Sequence, residues 1–123
     1  MLIEPINHHD QPGYFLNRPD DALAVLDEVG EPNLKILYDC YHVARTDGPD
    51  VDRMAAWVGA NLDRIGHIQI ASVPDRSEPD QGDLDYGALL SAIDETGYDG
   101  FVGAEYRPTG RTDDGLGWLT TLV

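Results

Sequence analysis

Apolar and polar positions along the chain fall into short blocks that recur in a fixed order. Leu2 and Ile3 run into Glu4, and Pro5 stops the run at once. Three further apolar runs follow the same plan: LKILYD (34–39), HIQIAS (67–72) and GFVGAEY (100–106). Their shortness, and the turn formers around them, predict four β-strands. Between the runs, apolar residues return at helical spacing. Ala22, Leu23, Val25, Leu26 and Val29 follow the start signal Pro19-Asp20-Asp21, and Gly30 and Pro32 end that helix. Met54, Ala55, Val58 and Leu62 predict a helix over 51–62, stopped by Gly66. Leu89, Leu90 and Ile93 predict another over 86–96, closed by Gly97, and a last helix begins around Asp114 with Leu116, Trp118 and Leu119. The stretch after Asp39, through Gly48-Pro49, reads as a polar loop, as do 8–14 and 73–83. Strand, loop and helix alternate four times, which predicts an α/β fold with a parallel sheet and no second domain in residues 1–123.

One register stands out. Glu4, Asp39, Gln69 and Glu105 hold equivalent places at the ends of the four runs, 35, 30 and 36 residues apart. Parallel βα units present their functional groups at the carboxyl ends of the strands, where the loops converge. Three carboxylates and an amide carbonyl there make an octahedral site for a hard divalent cation, Mg2+ or Mn2+, with positions left for water or substrate. In an acidic chain any one such acid also reads as a plain loop residue. Four in register shift the reading toward a site.

Composition narrows the partners. Lys and Arg number 8 against 23 Asp and Glu, a formal net charge of −15, and Lys35 is the only lysine. This balance repels nucleic acid and anionic membrane surfaces, so neither is expected as a partner. Most of the acids read as a solvated face. A single cysteine, Cys40, gives no intramolecular disulfide and reads as packing rather than as a nucleophile. No signal peptide or membrane-length apolar run is visible, so a soluble cytoplasmic protein is the expectation. Trp57 and Trp118 fall on helix faces and read as core or interface.

The strings LIEPIN…DQPGYFLN, LYDCYH, HIQIASVPDRSEP and GFVGAEYRP…GLGWL, in this order and spacing, resemble the hydroxypyruvate isomerase family. That family belongs to the xylose-isomerase-like group of (β/α)8 TIM barrels. The resemblance runs from Leu2 to about Leu119 and covers only strands five to eight. It therefore implies four βα units equivalent to the C-terminal half of the barrel. It further implies that Glu4 and Glu105 are acid/base glutamates that also bind a metal. Asp39 would be a third ligand and Gln69 a fourth, where sugar-epimerase relatives typically carry histidine. His42 and Arg76 match positions facing substrate oxygens. Asp80-Gln81 departs from the glycine that many members carry after the proline. The implied reaction is a 1,2 proton shift through an enediolate, interconverting hydroxypyruvate and tartronate semialdehyde, with a longer 2-oxo acid such as 2-oxo-tetronate as the alternative substrate.

Some alternatives stay open. Arg76 is either the partner of a substrate carboxylate or half of a surface ion pair with Glu78. His42 orients substrate, supports Asp39, or is a structural hydrogen-bonder. His8 and His9 either border the pocket or are solvated. Four strands cannot close a barrel, so the open edges predict a homo-oligomer or pairing with a chain that carries the first half. A truncated reading frame, and a non-catalytic half-barrel that only binds metal or oligomerises, are the remaining readings.

Overall fold

Four parallel strands form one sheet in the order β1-β2-β3-β4, each beside its neighbour in sequence. The structure is a computed structural model and describes residues 1–122. Strand β1 (Leu2–Ile3) pairs with β2 (Lys35–Asp39), β2 with β3 (Ile65–Ile70), and β3 with β4 (Val102–Ala104). Sequential parallel neighbours joined by helical crossovers are the wall of a (β/α) barrel, here half of one, as the family resemblance implies.

Side-chain alternation divides the sheet into two faces. Ile36, Tyr38, Ile68 and Ile70, all at most 2% exposed, turn toward the helices and form the core with Leu26, Met54, Val58, Leu89 and Ile93. Leu37, His67 and Gln69 lie half-buried on the opposite, barrel-interior face. Gly66 lies within β3 and does not end the preceding helix. A Cβ there would come within 2.5 Å of the Leu2 side chain and 2.9 Å of Lys35 Cβ, so only glycine admits this packing on the inner face. The register shifts between Ile36 and Leu37, which pair with Ile65 and His67, so Gly66 is the extra residue of a bulge.

Helix α1 (Pro19–Val29) starts on proline, with Asp20 and Asp21 in its first turn, and ends on left-handed Gly30 at φ 69°. Helix α2 (Cys40–Asp47) takes the stretch read from sequence as a loop. Its apolar residues Cys40, Val43 and Ala44 are buried at its start, while its last residues, Arg45 to Asp47, are polar and only half-buried. Eight residues with one polar half give too little periodicity to read as a helix. The structural start signal is Asp39, whose Oδ1 accepts the Tyr41 N–H at 2.9 Å. Helix α3 (Val51–Ala60) is capped by Asp50, and α4 (Tyr86–Glu95) by Asp85. The final segment, Thr112–Thr120, is the helix expected around Asp114, in 3-10 form.

Strand β3 ends at Ile70, two residues earlier than the sequence predicts. Tyr86 Oη donates to Ala71 O at 2.7 Å and accepts the Ala71 N–H at 3.3 Å, which takes that residue out of the ladder. Trp57 stacks on Tyr38 at 4.9 Å and donates to Asp20, and Trp118 is buried against Tyr106, so both are packing residues. No helix among the described residues is long and apolar enough to cross a membrane.

Candidate active site

The four strands deliver their carboxyl ends to one rim. Asp39 is at once the last residue of β2 and the N-cap of α2, so no loop separates the strand from the helix. Gln69 pairs with Asp39 in register on one side and with Gly103 on the other. Glu4 follows β1, and Glu105, whose N–H donates to Ile70 O at 3.1 Å, follows β4.

Asp39 is 1% exposed, and its Oδ2 accepts a long hydrogen bond, 3.4 Å, from Arg76 Nη2. Burial pushes its carboxyl up to about 7; the Arg76 charge and the Tyr41 N–H pull it down, and the charges of Glu4 and Glu105 raise it further. Burial also raises the Glu4 carboxyl, the Glu105 charge adds to this, and Arg76 opposes it. His42 is 3% exposed, and its Nε2 lies 3.7 Å from both Glu4 Oε1 and Asp39 Oδ2. Burial, and next the Arg76 charge, lower the imidazole to about 4, so it is neutral at physiological pH.

Arg76 is held by a tight turn. Its N–H donates to Ser72 O at 2.9 Å, Ser77 N–H donates to Ser72 Oγ at 2.8 Å, and its own backbone is left-handed at φ 56°, uncommon for a residue with a side chain. The turn sends the guanidinium back over the Tyr41 ring, 4.9 Å from its centroid, where it meets Glu105 Oε2 at 2.5 Å. Glu78 is engaged elsewhere, accepting the Thr109 N–H at 3.0 Å, so the surface pair with Arg76 does not form. Beside Arg76 opens a cleft of about 410 Å3 lined by Asp10, Tyr41, Pro74, Asp75 and Arg107.

Of the residues singled out from sequence, Glu4, Asp39 and His42 therefore meet, with ligand atoms all within 4.8 Å of one another. Arg76 joins this group to Glu105, and Gln69 lies alongside Asp39. His8 and His9 are exposed, their rings 4.2 Å apart and tilted by 32°, and they lie outside the Glu4–Asp39–His42 group. Cys40 is fully buried and its thiol is pushed well above the usual range by that burial, which removes it as a nucleophile. Asn7 carries no chemistry that the sequence flags, yet it is fully buried and bonded to His42. The signal for it was a polar residue directly after an apolar one in a proline-marked strand end.

The residues fit a divalent cation. A nearly fully buried carboxylate whose second oxygen holds only a long hydrogen bond from Arg76, beside a second carboxylate and within the field of a third, is a costly arrangement that a hard cation relieves. Glu105 is paired with Arg76 through its Oε2.

A family model described as xylose isomerase-like TIM barrel matches residues 1–122. The chain is 52% identical over 119 residues to a 2-oxo-tetronate isomerase of Cupriavidus necator, covering 97% of this chain and 44% of that protein. It is 45% identical to the hydroxypyruvate isomerase of Escherichia coli, again over 97% of this chain and 45% of that one. Among solved structures, an AP endonuclease, family 2, from Brucella melitensis superposes with a TM-score of 0.89 at 39% identity, over 98% of this chain and 45% of the other. A 3-keto-D-glucoside 4-epimerase from Escherichia coli follows the same path at TM-score 0.77 and 28% identity, over 96% of this chain and 44% of the other. The chain thus spans less than half the length of these relatives. With four parallel βα units, polar side chains gathered on their carboxyl rim and a family match over the whole described length, this chain belongs to the xylose isomerase-like TIM barrel family.

Proposed function

We propose that this chain carries the acid/base and cation-binding half of an isomerase acting on a small 2-oxo acid, interconverting hydroxypyruvate and tartronate semialdehyde. The observation that carries this reading is the convergence of Glu4, Asp39 and His42, with Arg76 bridging to Glu105. Glu4, Asp39, Gln69 and Glu105 would hold Mg2+ or Mn2+, and the bound ion supplies the positive charge that acidifies the C–H beside the substrate carbonyl. Glu4 and Glu105 take and return the proton. A carboxylate raised by burial, as in Glu4, is a better base than a solvated one. His42, neutral and wedged beside the two carboxylates, is suited to hydrogen-bond a substrate oxygen. Arg76 offers a planar fork for the substrate carboxylate once Glu105 is drawn away.

The relative at 52% identity is named a 2-oxo-tetronate isomerase, which favours a longer 2-oxo acid as the second reading. The two are separated by completing the barrel with the N-terminal half of the Escherichia coli relative and assaying both substrates with Mg2+ and Mn2+. Turnover of neither would overturn the proposal. On the chain alone, millimolar Mg2+ or Mn2+ is expected to raise the melting temperature. An ion at about 100 times its Kd adds roughly 2.7 kcal/mol, enough for a shift of several degrees in a domain of this size. An unchanged melting curve would remove the cation site.

The β1 and β4 edges pair on one side only, and Phe101 beside β4 is 86% exposed. We expect the isolated chain to associate through these edges, either with its own copies or with an N-terminal half-barrel. Sedimentation of the purified chain as a well-folded monomer would count against this.

A further inference from the structure

We infer that Asn7 is a positioning residue: it fixes His42 in the tautomer that carries its proton on Nε2, so the imidazole presents an N–H, and not a lone pair, to the site. Asn7 is completely buried, and its side-chain hydrogen bonds run to Asp10 and His42. The orientation of its amide is not a free choice. Asn7 Oδ1 accepts the Asp10 backbone N–H at 2.9 Å, a donor that cannot reverse its role. Asn7 Nδ2 lies 3.1 Å from Asp10 Oδ2, a carboxylate oxygen that can only accept. Turning the amide over would set oxygen against carboxylate and N–H against N–H. The Nδ2 group therefore donates on both sides, and its second partner, at 2.6 Å, is His42 Nδ1. The Asn7 backbone N–H points at the same ring nitrogen from 3.3 Å. Two donors on Nδ1 leave it only the acceptor role, and in a neutral imidazole the proton then sits on Nε2.

Asp10 is itself fixed. Tyr41 Oη donates to its Oδ2 at 2.7 Å, so a chain of bonds runs from Tyr41 on α2 through Asp10 and Asn7 in the loop after β1, and returns to His42 on α2. The Nε2–H at the end of that chain faces the Glu4 and Asp39 oxygens at 3.7 Å each. His42 is close enough to those two residues to complete a three-ligand cation set, but a ligand nitrogen needs a free lone pair and this one has none. Asn7 thereby separates the roles of neighbouring groups: carboxylates for a cation, imidazole N–H for a substrate oxygen. The role in substrate binding rests on the proposed function; the tautomer does not.

Long-range 15N–1H correlation spectra of the labelled chain test this without turnover. The wild-type His42 ring is expected to show one tautomer, protonated on Nε2. A proton on Nδ1, or a mixture of both forms, would overturn the inference. The double exchange Asn7→Asp with Asp10→Asn keeps the charge but reverses the side-chain hydrogen bonds from residue 10 to residue 7 and to Tyr41, places an acceptor at Nδ1, and should move the proton from Nε2 to Nδ1. A folded double variant with the proton still on Nε2 would overturn the role given to the Asn7 side chain. Mg2+ at a concentration that shifts the melting temperature should leave the Nε2–H signal in place, and its loss would make His42 a ligand. Should Mg2+ give no shift at all, the cation reading fails while the wild-type spectrum still decides the tautomer.

Discussion

Asp39→Asn is expected to make the cation-free chain more stable than wild type at pH 8, although it removes a candidate site residue. The carboxyl is 1% exposed and is pushed up to about 7 from an ordinary value of 3.8, with burial as the main cause. Between those values the folded chain holds a proton that the unfolded chain has already lost. Stability therefore falls as pH rises, and the loss is complete above about 7. At roughly 1.4 kcal/mol per pH unit the effect is on the order of a few kcal/mol. Asparagine keeps the oxygen that accepts the Tyr41 N–H, so the start of α2 survives. His42 works in the opposite sense: its folded value is lowered to about 4 from 6.5, so its contribution is present above 6.5 and is lost as pH falls toward 4. In wild type the two slopes offset across that window. In Asp39→Asn the Asp39 slope that opposed it is gone, and the His42 contribution should make stability climb with pH from 4 to 6.5. Urea unfolding at a series of pH values measures both effects; equal stability of the two proteins at pH 8 would refute the first.

Glu105→Gln, in a barrel completed by an N-terminal half, should lower kcat by about 10²–10⁴-fold, the usual yield of a positioned acid/base group. The substitution is mild for the fold, because Glu105 is 58% exposed and the amide keeps an oxygen for the Arg76 guanidinium. What the amide cannot do is accept a proton. Lost turnover with the cation-free melting temperature and its Mg2+-induced rise both unchanged assigns Glu105 to proton transfer, whereas loss of that rise assigns it to cation binding. Retained turnover assigns that role elsewhere, with Glu4 as the remaining glutamate on the rim.

The repeating order of strands and helices was legible because each strand is a short apolar run closed by a polar residue. The polar residues mark the rim, so Glu4, Asp39, Gln69 and Glu105 could be aligned before any coordinates. What the sequence concealed was set by contacts between distant residues. Arg76 is two residues from Glu78, but the turn built on Ser72 carries its side chain to Glu105, 29 positions away. The end of β3 is decided by Tyr86, which competes for the backbone of Ala71. Helix α2 escaped notice because its polar last turn hides the burial of its first. Asn7 has no titratable group, and its importance arises only when β1 and α2 are side by side.

The direct passage from β2 into α2 has a bearing on how sequences of this type can diverge. Asp39 ends the strand and Cys40 begins the helix, so an inserted residue there has no slack to occupy and would rotate the carboxylate off the rim. The connections after β1, β3 and β4, spanning 4–18, 71–85 and 105–111, are long and largely free of regular structure. Insertions and deletions can be absorbed in those three segments while Asp39 stays in place. Changes of substrate size should therefore accumulate there, with the β2–α2 junction as the fixed point around which the mouth of the barrel is remodelled.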